Sequence, residues 1–243
     1  MKALILAAGL GTRLQPLTTY TPKSLVHVHN KPLLAYALEK MAACSVSEVV
    51  INVHYLAEQI ITFVENLPDL GIKIIISDER EQLLDTGGAL KKTAAFFENE
   101  TCFLVYNADV LTNVDLRQLI TTHLSQQNDA SLLVRPTQSA RRLLFDAQSL
   151  DLHAWQNTVT KEEIRIHTEN SLERSYGFCG VQCLSPSIFS FFPKKTIFSL
   201  IDLYLAAAQK LSIRAYPLPA ANWWFDTGSI EKLRAAENYL RKE

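Results

Sequence analysis

Apolar and polar positions along this chain follow two alternating periods. Residues 2–7 are almost continuously apolar, the pattern of a strand covered on both faces. From Pro32 the spacing turns helical, with Leu33, Leu34, Ala37, Leu38 and Met41 on one face. A second strand is predicted over 48–53, a second amphipathic helix through Leu56, Ile60, Ile61, Val64 and Leu67, and a third strand over 72–76 behind Gly71. A helix from Thr86 through Phe97, a strand over 102–106, a helix over 115–126 and a strand over 130–134 continue the series. This alternation predicts an α/β fold: a mostly parallel sheet with helices on both faces.

The rhythm weakens over residues 141–175, where short alternating pieces at 143–145 and 163–167 predict antiparallel hairpins or an insertion beside the main sheet. A strand over 178–184, a helix over 200–210 and a strand over 213–218 follow. The aromatic stretch 222–228 is expected to close the sheet region, and Ile230, Leu233, Ala236 and Leu240 mark a last helix. No Pro/Gly/Ser-rich linker and no internal repeat interrupts the chain, so one domain is expected over 1–243, with breaks in pattern near 135 and 228.

Composition narrows the partners. With 48% hydrophobic residues, 24 basic and 25 acidic side chains and a formal charge of −1, the chain has a core-forming content and no polyanion-binding excess. Nucleic acid is therefore not an expected partner. No segment has transmembrane length, and the opening apolar run is too short for a signal peptide, so no membrane association is expected. The four cysteines form no CxxC and the six histidines show no zinc spacing. A soluble, reduced, cytoplasmic protein is the expectation.

The first strand breaks into Ala7-Ala8-Gly9-Leu10-Gly11-Thr12-Arg13, and Lys23 follows behind Pro22. In an open α/β sheet such a loop lies at the ligand-binding edge. A dinucleotide fingerprint requires a third glycine and a helix directly after it; here the position holds Leu14, and Pro16 follows. A P-loop requires lysine after its second glycine, where this chain has Thr12. Two readings remain. The loop is either a glycine-rich turn with two surface cations, or a cradle whose small residues admit a triphosphate while Arg13 and Lys23 meet its charge.

The stretch GLGTRLQPLTTYTPKSL resembles, at every defined position, the G-x-G-T-R-L-x-P-L-T-x-x-x-P-K-x-L signature of the nucleotidyltransferases that activate sugar 1-phosphates. Lys31-Pro32-Leu33, LLDTGGAL (83–90), VYNADV (105–110) and WFDTGSIEKL (224–233) are similar to further motifs of that family, so the resemblance spans nearly the whole chain. It implies a three-layer Rossmann-like nucleotidyltransferase fold, with a nucleotide-binding half over 1–135, a sugar-binding half over 136–228 and a C-terminal helix over 229–243. It further implies a nucleotide site of Ala7, Ala8, Gly9, Gly11, Thr12, Arg13, Lys23, Thr86, Gly87 and Gly88. Asn107, Gly180 and Trp224 would face the sugar, with Trp223 and Trp224 each suited either to a sugar ring or to the core. Gly87 and Gly88 also suit a helix start in their own right.

Asp109 and Asp226 follow strand-like segments, where an aspartate can equally cap a turn. The resemblance makes the pair the holders of Mg2+, a hard cation suited to carboxylates, phosphate and water. Arg13, Lys23 and Asp109 are the catalytic candidates. A sugar 1-phosphate is already an anion and needs no general base, which fits the absence of a His or Cys constellation. The implied reaction joins an NTP, with UTP as first choice, to a sugar 1-phosphate, as a monomer or small homo-oligomer supplying cell-envelope precursors. Rivals are a cytidylyltransferase acting on phosphocholine and a catalytically silent nucleotide-sugar sensor; an aromatic or acidic ammonium cage would mark the former. The E-K-P lysine of longer relatives is absent between Leu143 and Tyr176, and Ala108 replaces a common glycine. Both point to the short members, similar to N-acetylmuramate, hexose or heptose 1-phosphate enzymes.

Overall fold

Two-faced burial organises the fold. In the computed structural model, which describes residues 1–166 and 172–242, successive strand residues alternate between two separate cores. Ala3 and Ile5 face one, Leu4 the other; Val49 and Ile51 face the first, Val50 the second; Leu104 and Tyr106 the first, Phe103 and Val105 the second. That is the two-residue period of a strand with helices above and below.

The strands are β1 (Lys2–Leu6), β2 (His27–Val28), β3 (Lys31–Pro32), β4 (Glu48–Val53), β5 (Lys73–Asp78), β6 (Phe103–Asn107) and β7 (Val110–Thr112). They continue as β8 (Ala130–Arg135), β9 (Arg141–Asp146), β10 (Leu152–Asn157), β11 (Glu162–Arg165), β12 (Glu173–Leu184), β13 (Ile213–Pro217) and β14 (Trp224–Asp226). The helices are α1 (Leu33–Ala43), α2 (Ala57–Glu65), α3 (Asp85–Thr93), α4 (Leu116–Ser125), α5 (Leu200–Ala207) and α6 (Ile230–Leu240). Buried side chains of α1, α2 and α4 cover one face, and those of α3 and α5 the other. The mixed α/β fold read from the sequence is thus the observed one.

On one side of the sheet β6-β1-β4-β5 run parallel, out to the edge strand β5, with Leu4 opposite Val50 and Val105. The long β12 runs antiparallel to β6, β8 and β9, and β9, β10 and β11 form the antiparallel extension expected between 141 and 175. Of the piece read at 163–167, the strand covers Glu162–Arg165 and His167 lies outside the described residues. The stretch 222–228 does not close the main sheet as expected. β14 instead pairs antiparallel with β7 in a separate two-stranded ribbon, because the backbone and hydroxyl of Thr227 are both bonded to the Asp109 carbonyl.

A third core lies at the ligand edge. Leu233 and Ala236 of α6 pack on Leu14, Val26 and Val28, so the last helix covers the glycine-loop region of the first strand. One cluster was not legible from spacing: Cys102, His123 and Cys183, all buried, bring their side-chain heteroatoms within 4.8 Å of one another. Asn128 Nδ2 donates to Ser131 Oγ, and Ser185 Oγ donates to the Asn128 carbonyl. Ser131 Oγ lies 3.1 Å from His123 Nδ1 and Ser185 Oγ 3.0 Å from Nε2, which suits a neutral ring accepting at Nδ1 and donating from Nε2. Burial lowers the His123 pKa to about 4.

Candidate active site

The four parallel strands end on one edge of the sheet, as the binding edge of an open α/β fold requires. The loops leaving them enclose a recess of about 450 Å³. Two buried polar side chains hold these loops in register. Asn52, at the end of β4, accepts the Ala7 N–H through Oδ1 at 2.8 Å and donates through Nδ2 to Glu79 at 3.0 Å. The other Glu79 oxygen accepts from the Leu84 N–H at 3.2 Å. Burial raises the Glu79 pKa, against the opposing pull of Asn52 and the Leu84 amide. Three strand ends are thereby tied through one carboxyl group and one amide.

The glycine loop is shaped from within. Gly11 has φ +68°, and a Cβ there would stand 2.9 Å from Thr18 Cγ2 and 3.1 Å from Lys23 Cβ. Thr18 Oγ1 closes the loop by donating to the Gly11 carbonyl at 2.8 Å. The single turn over Thr12–Leu14 that follows buries Leu14 and leaves Arg13 exposed. The Arg13 guanidinium lies against Gly228, with Nη2 2.9 Å from where a Cβ at 228 would stand.

Lys23 forms an ion pair with Asp109, and Lys232 one with Asp226. Asp226 stands opposite Val110, the residue after Asp109, and Thr227 N and Oγ1 reach the Asp109 carbonyl at 3.0 and 2.9 Å. The two carboxylates therefore lie on adjoining, mutually bonded backbone. Burial pushes the Asp226 carboxyl up, but Lys232, the Gly228 N–H and Lys23 together hold it below the ordinary carboxylate range. Two carboxyl groups carried on adjoining backbone offer the oxygen donors that suit a hard divalent cation.

Of the residues expected from the sequence, Ala7, Ala8, Gly9, Lys23, Thr86, Asn107 and Asp109 line the recess. A side chain at Gly9 would meet nothing within 4 Å, so glycine leaves space open there. Gly11 and Thr12 do not line it; they open the turn that carries Arg13. Gly87 and Gly88 require correction: they sit inside α3, and both amides donate to the Phe198 carbonyl, at 2.9 and 3.2 Å. Their missing side chains make room for the 196–199 segment, since a Cβ at Gly87 would stand 2.4 Å from the Phe198 ring and one at Gly88 2.2 Å from the Thr196 carbonyl oxygen. Gly180 is buried with φ +74°, and a Cβ there would stand 2.7 Å from Asn107 Nδ2; its space seats Asn107. Trp223 packs on Phe225 and Tyr239, whereas Trp224 donates from Nε1 to the Cys179 carbonyl and lines a second recess.

That second recess, of about 280 Å³, adjoins Asp226 and Lys232. Arg135, at the end of β8, stacks 4.5 Å from the Trp224 ring centre, and Arg141 and Arg142, at the start of β9, line it too. Sequence reading missed these arginines, Lys232, Glu79, Asn52, Ser24 and Asp85. Asn52 had a signal, as the one polar residue inside the apolar run of 49–53. Ser24 lines the first recess, and its buried hydroxyl has no hydrogen-bond partner among the described residues, so it is placed to meet a bound molecule.

Residues 2–143 match the family model described as nucleotidyl transferase. Mannose-1-phosphate guanylyltransferase 1 of Arabidopsis thaliana is 29% identical over 251 residues, covering 100% of this chain and 66% of that protein. N-acetylmuramate alpha-1-phosphate uridylyltransferase of Caulobacter vibrioides is 42% identical over 104 residues, covering 42% of this chain and 43% of that protein. The chain spans about two thirds of the length of the plant relatives it matches (66% of the guanylyltransferase above). The structure of UDP-glucose pyrophosphorylase from Acinetobacter baumanii shares the fold, with a TM-score of 0.79 over 98% of this chain and 92% of that one, at 19% identity.

Proposed function

From the premise that the chain belongs to the nucleotidyl transferase family, we propose that it transfers a nucleotidyl group from an NTP to a sugar 1-phosphate, giving an NDP-sugar and pyrophosphate. The observation that carries this reading is a pair of recesses flanking one charged seam: Lys23 and Asp109 line the first, Asp226 and Lys232 line the second, and Thr227 bonds the Asp109 carbonyl between them. The first recess is apolar with amide and carboxyl groups at its edges, as suits a nucleoside; the second is small and polar, as suits a phosphorylated sugar. UTP is our donor of choice, supported by the 42% identity to the uridylyltransferase over 104 residues.

The chemistry asks little of a base. An oxygen of the acceptor's 1-phosphate forms a bond to the α-phosphorus, the bond from that phosphorus to the oxygen bridging to the β-phosphate breaks, and the electron pair leaves on pyrophosphate. Lys23, in the wall of the first recess, lowers the repulsion between the two anions as they approach. Arg13, over Gly228, is aimed to grip the β- and γ-phosphates with its planar fork. Asp109 and Asp226 would hold Mg2+, which when bound supplies charge neutralisation at the phosphates. Asn52 and Glu79 keep the loop amides of Ala7 and Leu84 fixed against the nucleoside.

Arg135, Arg141 and Arg142 beside the acceptor recess speak against phosphocholine, whose quaternary ammonium they would repel. All four cysteines are free and buried, which supports a reducing, cytoplasmic setting. The test is a matrix of the common NTPs against hexose and amino-sugar 1-phosphates with magnesium, followed by pyrophosphate release. Turnover with UTP and at least one sugar 1-phosphate is expected; silence across the matrix would refute the transferase reading, and turnover with another NTP alone would refute only the base.

A further inference from the structure

Building on that reading, we propose that the acceptor is a sugar 1-phosphate bearing a second anionic group, and that Arg135, Arg141 and Arg142 receive it. The recess they line contains neither Lys23 nor Asp109, so it is set apart from the place where the 1-phosphate must meet the α-phosphorus. It touches the reacting seam only along Asp226 and Lys232. Asp226 is the single acidic residue lining it among the described residues, and that carboxylate is already held by Lys232.

Arg135, Arg141 and Arg142 come to line one recess because β8 and β9 share one partner strand. Arg135 stands opposite Gly177, and Leu143 stands opposite Tyr176, so the turn between the two strands brings Arg141 and Arg142 back beside Arg135. Among the described residues none of the three forms an ion pair, although most other arginines of the chain do: Arg80, Arg117, Arg165, Arg214 and Arg241 each have a carboxylate. Arg135 is stacked on Trp224, which is itself pinned by its bond to the Cys179 carbonyl at 2.8 Å. Arg142 Nε donates to the Ser139 carbonyl at 2.7 Å, which fixes the plane of its fork and leaves the terminal amino groups for a ligand. Thr137 and Ser139 add hydroxyl groups to the same wall. Sugar hydroxyls alone do not require three arginines without carboxylate partners in one wall. A carboxylate or a second phosphate does, since planar bidentate donors match those anions.

The test measures pyrophosphate release by the full chain with the NTP it uses. Acceptors are matched pairs, each a neutral hexose 1-phosphate and the corresponding uronic acid 1-phosphate, of glucose, galactose and mannose type, with the hexose 1,6-bisphosphates as a third arm. An acidic acceptor should exceed its neutral counterpart about tenfold or more in kcat/KM, chiefly through KM, the scale of one charge-assisted contact. The carboxylate and phosphate arms decide which anion it is. In Arg141→Gln/Arg142→Gln the ratio of acidic to neutral kcat/KM should collapse toward one, and Arg141→Lys/Arg142→Lys should restore part of it. Equal or better turnover of the neutral acceptors, or an acidic preference that survives the double Gln substitution, overturns the proposal while leaving the transferase reading intact. Absence of turnover with every acceptor overturns that reading, and this proposal with it.

Discussion

Asp109 and Asp226 each meet a lysine through the same oxygen, Oδ2. In Asp226 the second oxygen accepts the Gly228 N–H at 2.7 Å. An Asn at either position keeps size and much of the hydrogen bonding but removes the charge. Asp109→Asn and Asp226→Asn are therefore expected to fold, with a thermal midpoint near that of the parent, and to lose about a hundredfold or more in kcat. Full activity in either would refute the cation-holding role. At this scale, legibility followed distance along the chain. Arg13 and Lys23 lie in one contiguous signature and could be read directly, and Asp109 and Asp226 each close a recognisable motif. Arg135 and Arg141 gain meaning only by meeting across the fold, and no local pattern announces that. Gly87 and Gly88 show the converse failure. Their motif was visible, but their amides are spent on Phe198, a partner more than a hundred residues away.

Among the secondary-structure elements, α3 makes the same point energetically. Replacing Gly by Ala inside a helix ordinarily gains about 1 kcal/mol. At Gly88 the added Cβ would stand 2.2 Å from the Thr196 carbonyl oxygen and 2.9 Å from Leu84 Cβ, a backbone conflict that costs about 1–3 kcal/mol or more. The conflict wins, so Gly88→Ala should lower the thermal midpoint, by roughly 2–4 °C for each kcal/mol lost. A midpoint equal to or above that of the parent would show that the 196–199 segment yields freely. Strands with uniform apolar runs were predicted to within a residue or two: 2–7 is Lys2–Leu6, and 48–53 is Glu48–Val53. β12 was not, because its first half, Glu173–Gly177, lies in the extension and is only partly buried, whereas its second half is core. β7 and β14 are three residues each, too short to show a period, and their pairing depends on Thr227 binding the Asp109 carbonyl.

For the molecule as a whole, the buried imidazole of His123 links stability to pH. Its pKa is lowered by burial to about 4, against about 6.5 in an unfolded chain. The unfolded state therefore binds the proton more readily between these values. The stability associated with the neutral ring is fully present above about pH 6.5 and is lost as pH falls toward 4, by up to about 3 kcal/mol. Denaturant midpoints should thus decline between pH 7 and pH 5, and His123→Gln should flatten that decline; an unchanged slope in the variant would refute it. The mostly parallel sheet, its two-sided burial and the ligand-binding edge were all legible, because they follow from local periodicity and general rules of layering.

The packing of α6 on Leu14 and Val26 has a consequence in time. Synthesis proceeds from the first strand onward, so the loop bearing Arg13 and Lys23 leaves the ribosome long before Leu233 and Ala236 exist to brace it. A nascent chain can complete its parallel strands and still lack this packing, and the loop is held only when the ribosome has released the segment that closes the third core.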